Sequence, residues 1–394
     1  EIDGSEVPIL DGSSKQFFSE LENAGTSNQN ENQKFIKILK NFKLKSKHTY
    51  TSLSPSKNNL KISFNIKWLV ASLFALTFTN SSSLALAETL NLVTNWGSGL
   101  YSVARTIKFA EEFNASGEAK AADLKIMFVG GPEVTPATQQ LTALRNGVFD
   151  LLFGSAGYYV GDVPEAYAIY ATSITPMQAR ETGATDLLDK IYLKKANAHV
   201  LGWVAAGVGY HIWLKDKPPL NEKGELKLNG LKIRSSGFYK AWLSSHGATN
   251  VMIPAPDIYT SMERSIVDGA AWPGLGITDY GFEKFVSYRI DPPVWQFDNL
   301  LWINNDKWES LTEEQQKVLS ESVRAYEPVA HAYYKKLAEE ERAKVEAAGI
   351  KSFRMSADAE AAYVRAAQEL QWQQVKNKAP DNYEALLAVM PASK

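Results

Sequence analysis

Leu231-Lys-Ile-Arg-Ser-Ser-Gly-Phe238 is the stretch from which the fold is read. Gly230-Leu-Lys-Ile-Arg234 has the apolar character of a strand, and Tyr239 to Ser245 begins a helix that Gly247 ends. Asp257 to Ile266 predicts a second helix. Val267 to Ala271 then predicts a second strand, which runs into the glycine-rich, aromatic turn Ala271-Trp-Pro-Gly274. Strands that alternate with helices predict an α/β sheet whose loops gather at the strands' C-terminal ends. One such end carries Arg234. Its guanidinium is a planar, permanently charged fork that matches a carboxylate in two-point fashion. An arginine so placed, facing a cleft, captures organic acids.

The same alternation extends upstream. Thr89-Leu-Asn-Leu-Val-Thr94, Leu124-Lys-Ile-Met-Phe-Val129 and Phe149-Asp-Leu-Leu-Phe153 predict three strands. The helices Tyr101 to Phe113 and Pro136 to Asn146 lie between them. Ala198 to Trp203, Tyr210 to Leu214 and Leu300 to Asn304 predict further strands. Thr312-Glu-Glu-Gln315 has the form of a capping box. The helix it opens is expected to reach Ala348, stop at Gly349 and kink at Pro328. Tyr363 to Lys376 predicts a last helix.

The bulk numbers set limits. The chain has 394 residues, 45% of them hydrophobic, enough for two domains. Its formal net charge of -2 gives no general surface for nucleic acid or anionic membrane. The absence of cysteine excludes disulfides, cysteine nucleophiles and thiolate metal sites.

The N-terminal part reads differently. Residues 1–60 are rich in Asn, Ser and Lys without a sustained period, which predicts a disordered or non-native extension. Residues 61–87 have the pattern of a secretory signal peptide. Lys61 and Lys67 flank an apolar run, Trp68 to Phe78, and Ala85-Leu-Ala87 offers a cleavage site before Glu88. The run is short for a membrane span. The expectation is a protein exported to the periplasm, with no stable membrane insertion after cleavage. No methionine precedes Met127, which predicts a fragment or an over-extended reading frame whose true start lies near Leu60 or Ile62.

The motifs of catalysis are missing. The five histidines (His48, His199, His211, His246 and His331) show no paired metal spacing. There is no His-Glu-x-x-His and no Walker-type loop. Gly154-Ser155-Ala-Gly157 fails the spacing of a nucleophile elbow, and Gly207-Val-Gly209 lacks the third glycine of a dinucleotide fingerprint. No enzyme activity, metal or cofactor is therefore expected. The alternative is a secreted α/β hydrolase-like enzyme that acts on a small organic acid. Candidates for a cleft wall stand at strand ends. They are Trp96 and Tyr101 after the first strand, Glu133 after the second, and Ser155, Tyr158 and Tyr159 after the third. Tyr210, His211 and Trp213 lie near a domain crossing, and Trp272 follows the Asp268-Gly269 turn. Aromatics supply rigid walls and hydroxyl donors for an anion.

In order and spacing, Gly230-Leu-Lys-Ile-Arg234, Gly247-Ala248, Ile253-Pro254, Asp257-Ile-Tyr259, Val267-Asp-Gly-Ala270, Asn304 and Trp308 to Gln316 resemble one family. It is the dicarboxylate-binding-protein (DctP) family, the solute-binding subunits of tripartite ATP-independent periplasmic (TRAP) transporters. The resemblance covers nearly all of residues 88–370. It implies an α/β periplasmic solute-binding-protein fold: two α/β domains around a ligand cleft, hinge strands and a long kinked C-terminal helix. The implied domains are 88–211 with 300–335, then 212–299, with helices of 336–394 packing across both. The implied partners are a small organic anion and the TRAP membrane permease subunits. The arginine matching Arg234 is implied to pair with the ligand carboxylate. Some keto- and hydroxy-acid-binding relatives carry an acid just before the aromatic of the turn, where it helps hold a cation. This chain has Ala271 there, which argues against a metal-bridged ligand. The aromatic supply leans towards a monocarboxylate with a bulky apolar or aromatic part.

Overall fold

The computed structural model describes residues 87–391. The expected extension, and the expected signal peptide up to residue 86, lie outside the described residues. Two mixed sheets organise the rest. The first contains β1 (Glu88–Thr94), β2 (Leu124–Gly130), β3 (Leu151–Ser155), β4 (Ala198–Ala205) and β10 (Asn299–Asn304), in the order β2-β1-β3-β10-β4. The second contains β5 (Tyr210–Leu214), β6 (Lys232–Ser235), β7 (Thr249–Met252), β8 (Gly269–Pro273), β9 (Tyr288–Ile290) and β11 (Lys351–Phe353), in the order β11-β9-β5-β8-β6-β7. This is the expected α/β class, in two lobes.

Burial explains the composition of the strands. β3, β8 and β10 are buried at every position. They have neighbours on both edges and layers on both faces, so they read as continuous apolar runs. Edge strand β2 instead alternates, with Lys125 and Met127 exposed. In the first sheet β1 pairs parallel with β2 and β3, whereas β10 runs antiparallel to β3 and β4. β10 returns from the second sheet and lies between β3 and β4.

The chain crosses between the sheets through residues 206–209 and returns through residues 291–298. The two crossing segments bond to each other. Tyr210 N–H donates to the Val294 carbonyl at 2.8 Å, Val294 N–H to that of Tyr210 at 2.9 Å, and Phe297 N–H to that of Val208 at 2.9 Å. Gly209 is required here, because a Cβ would collide with Pro293.

Four helices matter for the site. They are α1 (Tyr101–Ala115), α2 (Ala184–Ala196), α3 (Glu313–Ala347) and α4 (Ala357–Lys378). The capping box of α3 forms as expected, with Gln315 N–H on Thr312 Oγ1 at 3.2 Å and Thr312 N–H on Gln315 Oε1 at 3.1 Å. The helix continues through Pro328 and ends before Gly349 at φ +88°. Its buried seam is built from Val318, Leu319, Val323, Tyr326, Ala330 and Tyr334 at helical spacing. Within that seam Glu327 takes a two-point bond from Arg180, both contacts at 3.0 Å, and accepts Trp203 N–H at 2.9 Å. Helix α4 touches both lobes. Trp372 Nε1 reaches the Ala171 carbonyl at 3.2 Å, and Tyr363 packs 5.4 Å from Trp242.

Asp291, where the return crossing begins, fastens three strands of the second sheet. It accepts from Arg289 at 2.9 and 3.2 Å, lies 3.2 Å from His211 Nδ1, and accepts from Ser352 Oγ. Burial would raise its pKa, but the hydrogen bonds from His211, Arg289 and Ser352 hold it well below the usual carboxylate range. A depressed folded pKa means stability that is present above the unfolded value of about 3.9 and lost as pH falls below it. Asp291→Asn is therefore expected to cost about 3 kcal/mol at pH 7, because the buried Arg289 loses its close charged partner and keeps only Glu346 at 3.9 Å. It is also expected to lose less stability than the parent between pH 5 and pH 3. Urea unfolding at the two pH values measures both effects.

Candidate functional site

β6 places Arg234 where the lobes face each other. It is paired on both sides, with Arg234 opposite Val251 of β7 and opposite Ala270 of β8. The side chain is only 2% exposed. Its Nε donates to the Ile253 carbonyl at 2.9 Å, and Nη1 reaches the Ala271 carbonyl at 3.4 Å. The guanidinium lies 5.1 Å from the centre of the Trp272 ring, in cation–π range. Burial pulls its pKa down, with the nearby Tyr158, Tyr239 and Tyr280 opposing. The group nevertheless stays protonated, as arginines in proteins do. Among the described residues no carboxylate lies within 4 Å of it.

The cleft around Arg234 is narrow, with a cavity volume of about 30 Å³. Its aromatic walls include Trp96, Tyr101, Tyr158, Tyr210, Tyr239 and Trp272. Ser102, Ser155, Ser236 and Asn299 add neutral polar groups, so among the described residues Arg234 is the one charged side chain on the lining. Phe238 and Tyr239 follow β6 in a short 3₁₀ turn and stack at 4.0 Å. Phe238 also stacks on Tyr170 of the first lobe at 4.3 Å.

Behind the lining sits Asp298, fully buried on the return crossing. It accepts from Ser155 Oγ, Gly157 N–H and Tyr210 OH, each at 2.7 Å, and from Tyr170 OH. Burial raises its pKa, and these donors oppose the rise. Gly157 has to be glycine, since a Cβ would strike the Tyr170 hydroxyl. No cation lies within ion-pair distance of Asp298 among the described residues.

The structure brings Trp96, Tyr101, Ser155, Tyr158, Tyr210, Arg234 and Trp272 together on this cleft. Four other expected residues lie elsewhere. Glu133 is exposed, and its carboxylate accepts its own turn's Gly131 N–H at 2.7 Å. Tyr159 turns into the first lobe, where it accepts from Asn95 at 2.6 Å, donates to the Ala137 carbonyl at 3.0 Å and packs on Trp302. His211 and Trp213 lie off the lining. His211 bonds towards the Ile290 carbonyl at 3.0 Å, and Trp213 is fully buried, donating to the Trp272 carbonyl at 3.1 Å. Leu100, Ser102, Ser236, Phe238, Tyr239, Pro273, Phe297 and Asn299 complete the lining without having been expected. Phe238 and Tyr239 were within reach of a reading, since they directly follow the arginine strand.

The lobes also meet at the rim. Tyr101 N–H, in the first turn of α1, donates to Asp279 Oδ2 at 3.1 Å. Asp279 belongs to the segment after β8, so an acid of one lobe caps a helix of the other.

The family model for bacterial extracellular solute-binding protein, family 7, matches residues 98–378. A second model, for UDP-3-O-acyl N-acetylglycosamine deacetylase, matches residues 1–122, most of which precede the described residues. A monocarboxylate 2-oxoacid-binding periplasmic protein of Nostoc sp. is 26% identical over 205 residues, which are 49% of this chain and 54% of the relative. The chain thus spans about half the length of that curated relative. Among solved structures, DctP7 of Bordetella pertussis, a receptor binding pyroglutamic acid, superposes with a TM-score of 0.66 at 14% identity. That match covers 77% of this chain and 99% of the other. A TRAP transporter solute-binding protein of Bordetella bronchiseptica, solved with copurified calcium and picolinate, gives 0.66 at 21% identity, covering 77% and 90%. At these identities the structural likeness speaks for the fold.

Asp279→Ala removes the rim contact, which the lining residue Tyr101 makes through its backbone N–H, and leaves every lining side chain in place. Loss of a cap of this kind is expected to weaken affinity for a bound acid by about three- to tenfold, with the unfolding midpoint of the ligand-free protein nearly unchanged. Calorimetric titration paired with thermal unfolding measures the two.

Proposed function

We propose that this chain, which belongs to bacterial extracellular solute-binding protein family 7, is a periplasmic receptor that binds an organic anion through its carboxylate and delivers it to a TRAP-type membrane permease. The observation that carries this reading is Arg234. A guanidinium buried without an ionic partner is costly to keep, and a ligand carboxylate in the closed cleft would supply the missing charge. Binding without turnover is the mechanism. Arg234 fixes the carboxylate in two-point contact, the aromatic walls hold the rest, and closure excludes water.

The lining supports a monocarboxylate, since among the described residues it offers one cation. Its rings suit a flat or apolar body, and its narrowness favours a compact one. The 2-oxoacids named for the Nostoc relative, and the pyroglutamic acid and picolinate of the two Bordetella proteins, carry a single carboxyl group and fit the same pattern. The periplasmic assignment rests on the expected signal peptide, and β1 begins at Glu88, directly after the expected cleavage point at Ala87. Among the described residues no helix is long and apolar enough to cross a membrane.

A thermal-shift screen of organic acids, followed by calorimetry, tests the reading. Arg234→Met is expected to weaken binding of the acid found by about thirtyfold to several thousandfold, the range for truncating one partner of a buried charge pair. The ligand-free variant is expected to unfold at the parent's temperature or above it, because it no longer buries an unpaired charge. Unchanged affinity would remove Arg234 from the site.

A further inference from the structure

Asp298 decides which way the hydroxyls of the cleft point. A carboxylate is an acceptor only, and a hydroxyl has one proton. Ser155 Oγ and Tyr210 OH each stand 2.7 Å from Asp298, on different oxygens, and Tyr170 OH also bonds to it. Each of these hydroxyls therefore spends its proton on Asp298. Even a proton on the carboxyl itself would leave two of the three turned towards it. Ser155 and Tyr210 line the cleft, whereas Asp298 and Tyr170 do not. What Ser155 and Tyr210 present to a ligand is thus lone pairs, with a buried carboxylate behind them.

The other part of the wall has the opposite character. Arg234 can only donate. Tyr158 OH accepts from Trp96 Nε1 at 3.2 Å, which leaves its own proton for the cleft. Tyr158 and Tyr239 line the same cleft as Ser155 and Tyr210, and the Tyr239 ring packs 5.7 Å from that of Tyr210, so the two kinds of wall are close neighbours. Asn299 carries a donor and an acceptor and does not decide the sign.

We infer that the cleft selects a carboxylate bearing a hydroxyl or N–H donor within a few atoms of its carboxyl group, and rejects the 2-oxo acid of the same skeleton. The carboxylate meets Arg234 and Tyr158, and the donor meets Ser155 Oγ and Tyr210 OH. A keto oxygen in that place would set acceptor against acceptor and leave two buried acceptors unmatched. This inference rests on the receptor reading above and narrows its ligand class.

The test uses the whole mature protein and matched acids: lactate, pyruvate and propionate; the 2-hydroxy, 2-oxo and unsubstituted 4-methylpentanoates; and phenyllactate, phenylpyruvate and phenylpropionate. Calorimetry is expected to show the hydroxy acid binding about tenfold or more tightly than the oxo acid in any set that binds. Ser155→Ala is expected to shrink that preference. Asp298→Asn keeps an acceptor oxygen towards Gly157 N–H and Ser155 and turns its amide N–H towards Tyr210, which frees Tyr210 to donate, and is expected to shrink the preference too; Ser155→Ala serves alone if Asp298→Asn does not fold. A preference for the oxo acid, or one unchanged in Ser155→Ala, overturns the inference and leaves the receptor reading standing. If no acid binds in an Arg234-dependent way, both fail for compact acids.

Discussion

Two buried charges of opposite sign, neither with an ionic partner among the described residues, govern this cleft. Arg234 brings a guanidinium held by two backbone carbonyls and a tryptophan face. Asp298 brings a carboxylate held by three hydroxyls and one backbone N–H. Leaving such groups in a dry interior is expensive unless every lone pair and proton is used. Asp298 is satisfied in that way within the protein. Arg234 has hydrogen bonds but no opposite charge among the described residues, and the cleft is built around the difference.

The architecture serves this arrangement. Arg234 needs a fixed position, and a strand paired on both edges supplies it. Asp298 sits on the return crossing, and its hydroxyl partners come from the end of β3, the short helix Tyr167–Ala171 and the start of β5. The carboxylate therefore ties the first lobe and the return crossing to the start of β5. Helix α3, pinned by the Arg180–Glu327 pair, and α4, in contact with both lobes, pack on the return crossing through Tyr334 on Phe297 and a bond from Trp295 Nε1 to the Ala367 carbonyl.

Much of the fold was legible in the sequence. The buried strands β3, β8 and β10 announced themselves as apolar runs between turn signals, and the start and stop of α3 were written in Thr312, Gln315 and Gly349. β7, β9 and β11 have only three or four residues each and were lost in the pattern. So was α2, whose amphipathic period was not read. Arg234 was legible because its chemistry and its strand-end position are local properties. The side chosen by each ring was not. Tyr158 and Tyr159 are adjacent, and only packing sends one to the cleft and the other to Trp302. Asp298 was missed because its meaning is tertiary: its partners Ser155, Tyr170 and Tyr210 lie 143, 128 and 88 residues away.

The central claim is that Arg234 awaits a carboxylate. Its most direct test is a crystal structure of the mature protein with the acid that copurifies with it or is found by screening. The expected result is a ligand carboxylate in two-point contact with the Arg234 guanidinium, about 2.7–2.9 Å away, between the aromatic walls. A ligand bound elsewhere, or an Arg234 turned onto a carboxylate of the protein itself, would contradict the account.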